Sequence, residues 1–214
     1  MIRDAIIIQQ AYTPDTDGAG SFSDMLRITM QRHAAYARSQ KMDYVAYFGD
    51  YCQEKGLMTG GWHKIKMILD CLEKGYEYVF WIDTDAAVVD MEHDLRNAFA
   101  DKFIGCCQHD ANGIPAHLNV GVTFVRNGEG VKEFLQEWWN TVPSEPRWME
   151  QGAFNDLAKK HPELVFRMDD KYNATVNVNM CENPVIVGWH GMQVKDRIAR
   201  MKKQFLDDHI RFRV

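Results

Sequence analysis

The sequence predicts a layered α/β fold, a central sheet flanked by helices in a single domain, and three observations predict it. Short apolar runs at 5–8, 44–48, 78–82, 103–107, 118–125, 164–166 and 185–187 have the length and the β-branched or aromatic content of strands. Segments with helical spacing alternate with them, the pattern of α/β layering. The 214 residues are 46% hydrophobic and 12% aromatic, enough to bury one core without covalent staples.

The first strand, Ala5-Ile6-Ile7-Ile8, leaves its apolar run at Gln9-Gln10-Ala11-Tyr12. A helix is predicted over 24–40, with Met25, Ile28, Thr29 and Arg32 in its first half. The strand at 44–48 follows, and then a clearer helix over 62–74. There Ile65, Ile68, Leu69 and Leu72 share one face and Gly75 supplies the stop. That helix feeds Tyr78-Val79-Phe80-Trp81-Ile82, which reads as a strand buried on both faces. Gly113-Ile114-Pro115 and Pro143-Ser144-Glu145-Pro146 read as loops. Near the end, Val194, Ile198, Met201 and Phe205 mark one face of a helix whose opposite face is mostly basic. Such a stripe faces a core; its basic side also suits an anionic acceptor, a membrane surface or nucleic-acid phosphates.

Charge and cysteines narrow the class. A net charge of -5 argues against a wholly basic nucleic-acid binder, although basic residues dominate from Lys195 to Arg213. Five cysteines without C-x-x-C spacing suit reduced thiols better than a disulfide framework or a zinc site. No run has the length of a membrane span, and Met-Ile-Arg-Asp before a short apolar run is a poor signal peptide. These features predict a cytoplasmic protein.

The chemistry concentrates in Asp83-Thr84-Asp85, directly after the strand at 78–82. In extended chain, residues i and i+2 share a face, so the two carboxylates would stand together at the edge of an apolar core. Either one keeps its proton or a positive group sits between them, and a divalent cation is the simplest such partner. The carboxyl end of a central strand is also where open α/β sheets bind ligands. The bland alternative is a polar turn, or a cap on a helix beginning near Glu92.

Four segments in order, YVFWIDTDAAVVD, LNVGVTFVRN, WMEQGAFNDL and VGWHGMQVK, resemble the metal-dependent nucleotide-sugar glycosyltransferases of the A-type fold, closest to retaining families 8 and 34. The resemblance runs from the first strand to about Lys203. It implies a Rossmann-like fold with one continuous mixed sheet, a nucleotide-binding half over about 1–90 and an acceptor-binding half over about 91–214. It implies a nucleotide-sugar donor, UDP-linked, and transfer with retention to a hydroxyl of a glycan, a lipid head group or a modified nucleic-acid base. It further implies Mn²⁺, or Mg²⁺, held by Asp83, Asp85 and His190. Carboxylates with one imidazole suit Mn²⁺ better than Mg²⁺.

Other residues carry over singly. Lys195 matches the lysine of a histidine-glycine-lysine element that closes over the diphosphate, with the glycine spacing altered to His190-Gly191-Met192-Gln193-Val194-Lys195. Lys64 matches a lysine that helps seat the donor; its bland reading is a solvated helix residue. Asn119 matches an asparagine facing the donor sugar, flanked by Leu118 and Val120 that should point the other way. Glu150 and Gln151 match an acid-glutamine-aspartate element at the reacting face, but Gly152 stands where the aspartate is usual. Gln10, Ala11 and Tyr12 match the end of the first strand that holds the nucleoside base, with Tyr12 the stacking side chain, and Thr84 lies between the two aspartates.

Two other classes compete. Strand plus D-x-D is also the nucleophile signature of haloacid-dehalogenase-type phosphatases, with Asp169-Asp170 as a late acidic pair. Against it, this strand is not the first, Ala86-Ala87 lacks the usual threonine or valine, and no supporting lysine is evident. The non-enzyme reading is a metal-dependent sugar-nucleotide-binding module without turnover.

Overall fold

The apolar run around Ile7 becomes β1 (Arg3–Ala11), the strand around which the first half of the protein is assembled. The computed structural model describes residues 3–12, 21–52, 60–111, 114–176 and 178–205. β1 pairs in parallel with β2 (Asp43–Phe48) on one side and with β3 (Tyr76–Ile82) on the other. Parallel neighbours need crossover connections, and α1 (Phe22–Ser39) and α2 (His63–Glu73) occur in those two connections. With β1 between its two successors, the chain reverses direction across the sheet there. That creates a crevice at the carboxyl ends of β1 and β3.

The main sheet continues with β6 (Ile114–Arg126), antiparallel to both β3 and β5 (Ile104–Ala111), and ends with β7 (Val165–Met168), parallel to β5. Its order is β2-β1-β3-β6-β5-β7, the mixed sheet that was expected. A second small sheet has the order β4-β9-β8, from Ala86–Val88, Ile186–Gly188 and Ala174–Thr175. All seven predicted strands are present. β4 and β8 were not predicted, because three and two residues show no periodicity. Ile114 and Pro115 belong to β6 rather than to a loop, since the β5–β6 hairpin pairs Ala111 with Ile114; Gly113 lies outside the described residues. Where the alternative reading placed a helix near Glu92, a 3-10 turn (Leu95–Ala98) forms instead, with the Asp94 carboxylate accepting from the Arg96 N–H.

Alternation along the strands divides the core. Ile6, Ile8, Val79 and Trp81 face α2, α3 (Val131–Asn140) and α4 (Met149–Ala158), whereas Ile7, Phe80 and Ile82 pack with Tyr36 of α1 and with Phe124 and Ile186 among their neighbours. Each such side chain, fully buried, contributes about 1.5–3 kcal/mol of transfer free energy. α1 begins with a reciprocal Ser21–Asp24 capping box. α2 ends before Gly75, whose φ of 90° allows the turn into β3. α5 (Val194–Gln204) lays Met201 against Met25, Ile28 and Trp189, and Phe205 joins the same cluster just beyond the helix end. The predicted stripe therefore faces the core, leaving Lys202 and Lys203 exposed; Arg211 and Arg213 lie outside the described residues. Among the described residues no helix is long and apolar enough to cross a membrane. All five cysteines are free thiols.

Candidate active site

Asp83-Thr84-Asp85 does not continue β3. The Ala86 N–H donates to the Asp83 carbonyl at 3.0 Å, so the three residues make a tight turn into β4. Two backbone bonds anchor it: the Asp83 N–H donates to Gly121 of β6 at 2.7 Å, and the Asp85 carbonyl accepts from Trp189 at 2.9 Å. The extended geometry expected for the pair is thus replaced by a turn, and each carboxylate meets its own cation. The turn forms one wall of a cleft of about 250 Å³ at the sheet crevice.

The Asp83 carboxylate accepts from the indole N–H of Trp81 at 2.6 Å and lies 3.3 Å from the Lys64 ammonium. Lys64 comes from the first turn of α2, and its side chain is 2% exposed between Asp83, Glu150 at 3.4 Å and the Val120 carbonyl at 3.1 Å. It is not the solvated helix residue of the bland reading. Burial alone would strip its charge, but Asp83 and Glu150 together outweigh burial and hold the ammonium above its usual range. Burial dominates at Glu150 and pushes its carboxyl up, with Lys64 opposing. A Cβ at Gly61 would meet Glu150 Oε2 at 2.3 Å, so a larger residue there would have to push the carboxylate from its place beside Lys64.

Asp85 is buried. Its carboxylate lies 3.2 Å from His190 Nδ1 and 2.7 Å from Arg197 Nη1. Burial favours the neutral acid, yet His190 and Arg197 hold Asp85 down at about 2. Reciprocally, burial would discharge His190, but Asp85 overrides it and raises the imidazole. His190 follows β9, as expected of a strand-end residue.

Among the described residues no three His, Cys, Asp or Glu side chains converge as a ready cation site. The donor set nonetheless fits a hard divalent cation, with two carboxylates and one imidazole around one turn. Gly121 leaves room for it: a Cβ there would lie 3.0 Å from Asp83 Oδ2, 3.0 Å from His190 Cε1 and 2.9 Å from Asn119 Oδ1. The Arg197 guanidinium on Asp85 is a cation already attracted to the same carboxylate.

The other predicted residues divide by position. Gln10, Tyr12, Thr84 and Glu150 line the cleft with Lys64, Asp83, Asp85 and His190. The Tyr12 ring stacks on Phe22 with centroids 4.8 Å apart, and Gln10 Nε2 donates to the Gly49 carbonyl at 2.7 Å. Ala11 is buried in β1 and is not part of the lining. Asn119 stands behind the aspartates, its Oδ1 accepting from the Gly121 N–H at 2.9 Å and from Asn173 Nδ2 at 3.0 Å. Gln151 accepts from the Val120 N–H at 3.3 Å and lines a neighbouring cavity of about 220 Å³ with His117 and Trp148. Gly152 borders that cavity too, where a Cβ would press on Pro143, the Glu145 carbonyl and Trp148 at 3.0–3.1 Å. Lys195 is exposed on α5 and is absent from the lining, whereas Arg197 of the same helix reaches it.

Sequence reasoning missed Trp81, Arg197 and a buried support behind the turn. Gln9, fully buried, donates to the Ile82 carbonyl at 3.2 Å while its Oε1 accepts from Tyr44 Oη at 2.8 Å and from His33 Nδ1 at 2.6 Å. The signal was the pair Gln9-Gln10 continuing the strand directly after the apolar run at 5–8. Met149, at the mouth of the cleft, has φ 46°, a conformation that a branched or bulky residue rarely adopts.

Comparison with known proteins agrees with this architecture. A family model described as nucleotide-diphospho-sugar transferase matches residues 24–210. Probable glycosyltransferase 7 of Oryza sativa, in the indica and japonica subspecies alike, is 26% identical over 152 residues. That match covers 59% of this chain but 32% of the relative, so the chain spans about a third of the length of these curated relatives. A glycosyltransferase involved in glycosylation of the major capsid of PBCV-1 superposes with a TM-score of 0.69 at 17% identity, over 93% of this chain and 99% of that one. The galactosyltransferase LgtC, solved with donor and acceptor sugar analogs, gives 0.52 at 10% identity over 93% and 95%. These likenesses show the glycosyltransferase A-type fold, and with its model matched over most of its length the chain belongs to the nucleotide-diphospho-sugar transferase family.

Proposed function

We propose that the cleft binds a UDP-linked sugar with Mn²⁺ and transfers the sugar, with retention, to a hydroxyl acceptor. The observation that carries this reading is that Asp83, Asp85, His190, Lys64 and Arg197 line one cleft at the sheet crevice, two carboxylates and an imidazole beside two cationic side chains. A sugar diphosphate brings negative charge into such a site, and its leaving group gains more as the glycosidic bond breaks. Asp83, Asp85 and His190 would hold the cation, which when bound supplies Lewis-acid neutralisation of the diphosphate. Lys64 orients Asp83 and Glu150. Tyr12, already stacked on Phe22, offers its ring to the nucleobase.

The phosphatase reading gains nothing from the fold. Asp169 caps the 3-10 turn at Asp170–Asn173, Asp170 pairs with Arg167, and neither lines the cleft. The test is a melting-temperature screen of nucleotide sugars with and without Mn²⁺. UDP-sugars should raise the melting temperature only with the ion; a shift for phosphomonoesters alone would favour the phosphatase.

A further inference from the structure

Arg197 is the fourth residue of α5, a helix fixed by Met201 packing against α1. Its Nε donates to the Met192 carbonyl at 2.8 Å, which aims the guanidinium back into the cleft, and its Nη1 lies 2.7 Å from Asp85 Oδ2. The arginine side chain is 20% exposed and that of Asp85 7%, so the pair lies in the cleft wall with one face toward the cavity. A guanidinium carries five N–H groups in a planar fork, more than these two contacts use, and the fork matches phosphate oxygens bidentately. Lys195, two residues earlier, is exposed and outside the lining.

Resting on the nucleotide-sugar reading above, we propose that Arg197 is the residue of this helix that binds the donor diphosphate, and that it exchanges Asp85 for the phosphates when the donor arrives. A divalent cation and a guanidinium on one carboxylate repel each other, so metal binding at Asp85 favours release of the arginine. The incoming diphosphate supplies the anion that receives it. Arg197 thus opposes the metal alone and supports the metal together with the diphosphate. A residue that only held the fold together would act on both in the same direction.

That difference in sign is the test. Mn²⁺ alone, and uridine diphosphate in the presence of Mn²⁺, are titrated calorimetrically into the wild type, Arg197→Ala, Arg197→Lys and Lys195→Ala. Arg197→Ala should bind Mn²⁺ alone severalfold tighter and uridine diphosphate at least about tenfold weaker, the scale of one lost charge-assisted contact. Arg197→Lys keeps the charge without the fork and should fall between, and Lys195→Ala should lose less than Arg197→Ala. If Arg197→Ala does not fold, the intermediate behaviour of Arg197→Lys carries the test, and unchanged uridine diphosphate affinity there overturns the inference. Parallel weakening of both ligands, or a larger loss in Lys195→Ala, also overturns it. A wild type that binds no nucleoside diphosphate overturns the nucleotide-sugar reading as well; normal wild-type binding left intact by Arg197→Ala overturns the role of Arg197 alone.

Discussion

The Lys64 ammonium lies 3.4 Å from the Glu150 carboxylate inside the cleft wall and 3.3 Å from that of Asp83, so one buried cation bridges the two acids. Taking one partner from a buried charge pair costs about 3–5 kcal/mol, because the remaining charge stays desolvated. Lys64→Met should therefore lower the melting temperature by roughly 6–20 °C in a chain of this size. Adding Glu150→Gln should recover part of the loss. Calorimetric melts of the single and double variants check this, and a wild-type melting temperature in Lys64→Met would contradict the pairing.

His33 gives a pH dependence. It is buried without exposure, with Nδ1 2.6 Å from Gln9 Oε1 and Nε2 accepting from the Val88 N–H, an arrangement that suits the neutral ring. Burial, helped by Arg32, lowers its pKa from 6.5 to about 3. Between those values the unfolded chain binds the extra proton, so this contribution to stability is complete above pH 6.5 and is lost as pH falls toward 3. Unfolding free energy should drop by about 2 kcal/mol from pH 7.5 to 5 on this account alone. Urea titrations of His33→Gln should show a weaker fold with a flatter pH slope; equal slopes would exclude His33 as the source.

Much of this was legible in the sequence because the core obeys simple periods. Ile65, Ile68, Leu69 and Leu72 fell on one helix face, and the apolar run at 78–82 became the strand that leads to the site. What was hidden depended on distance. Asp83 and Asp85 read as an extended pair, but the turn is fixed by Gly121 and Trp189, which lie far along the chain. Gln9 and His33 form a support that no local pattern announces, since its members sit 24 residues apart. Lys195 and Arg197 share a helix end, and only its packing decides which of them faces the cleft.

Asp85 is bound to the Arg197 guanidinium and to the His190 imidazole, so its charge stabilises the fold as well as suiting a metal. Asp85→Asn should remain folded but lose about 2 kcal/mol, as expected for hydrogen bonds to a charged group. It should also lose Mn²⁺-dependent nucleotide binding. Denaturant melts and calorimetry test the two halves, and unchanged Mn²⁺-dependent binding would remove Asp85 from the metal site.

The sugar transferred should keep its anomeric configuration. Glu150 is the one acid of α4 in the cleft lining, and its pairing with Lys64 ties up the carboxylate that inversion would need as a free general base. Proton NMR of the first-formed glycoside should show an α product from an α-linked donor. A β product would overturn retention.

The most direct test of the central claim is nucleoside diphosphate release. Wild-type protein incubated with Mn²⁺ and a panel of UDP-sugars should release uridine diphosphate from at least one of them, and the Asp83→Asn, Asp85→Asn double variant should release it at least a hundredfold more slowly, about the effect of losing one or more main electrostatic contacts to a leaving group. Sugar-nucleotide binding without release would mark a binding module, and equal release by wild type and double variant would place the chemistry outside this cleft; either result would contradict the account.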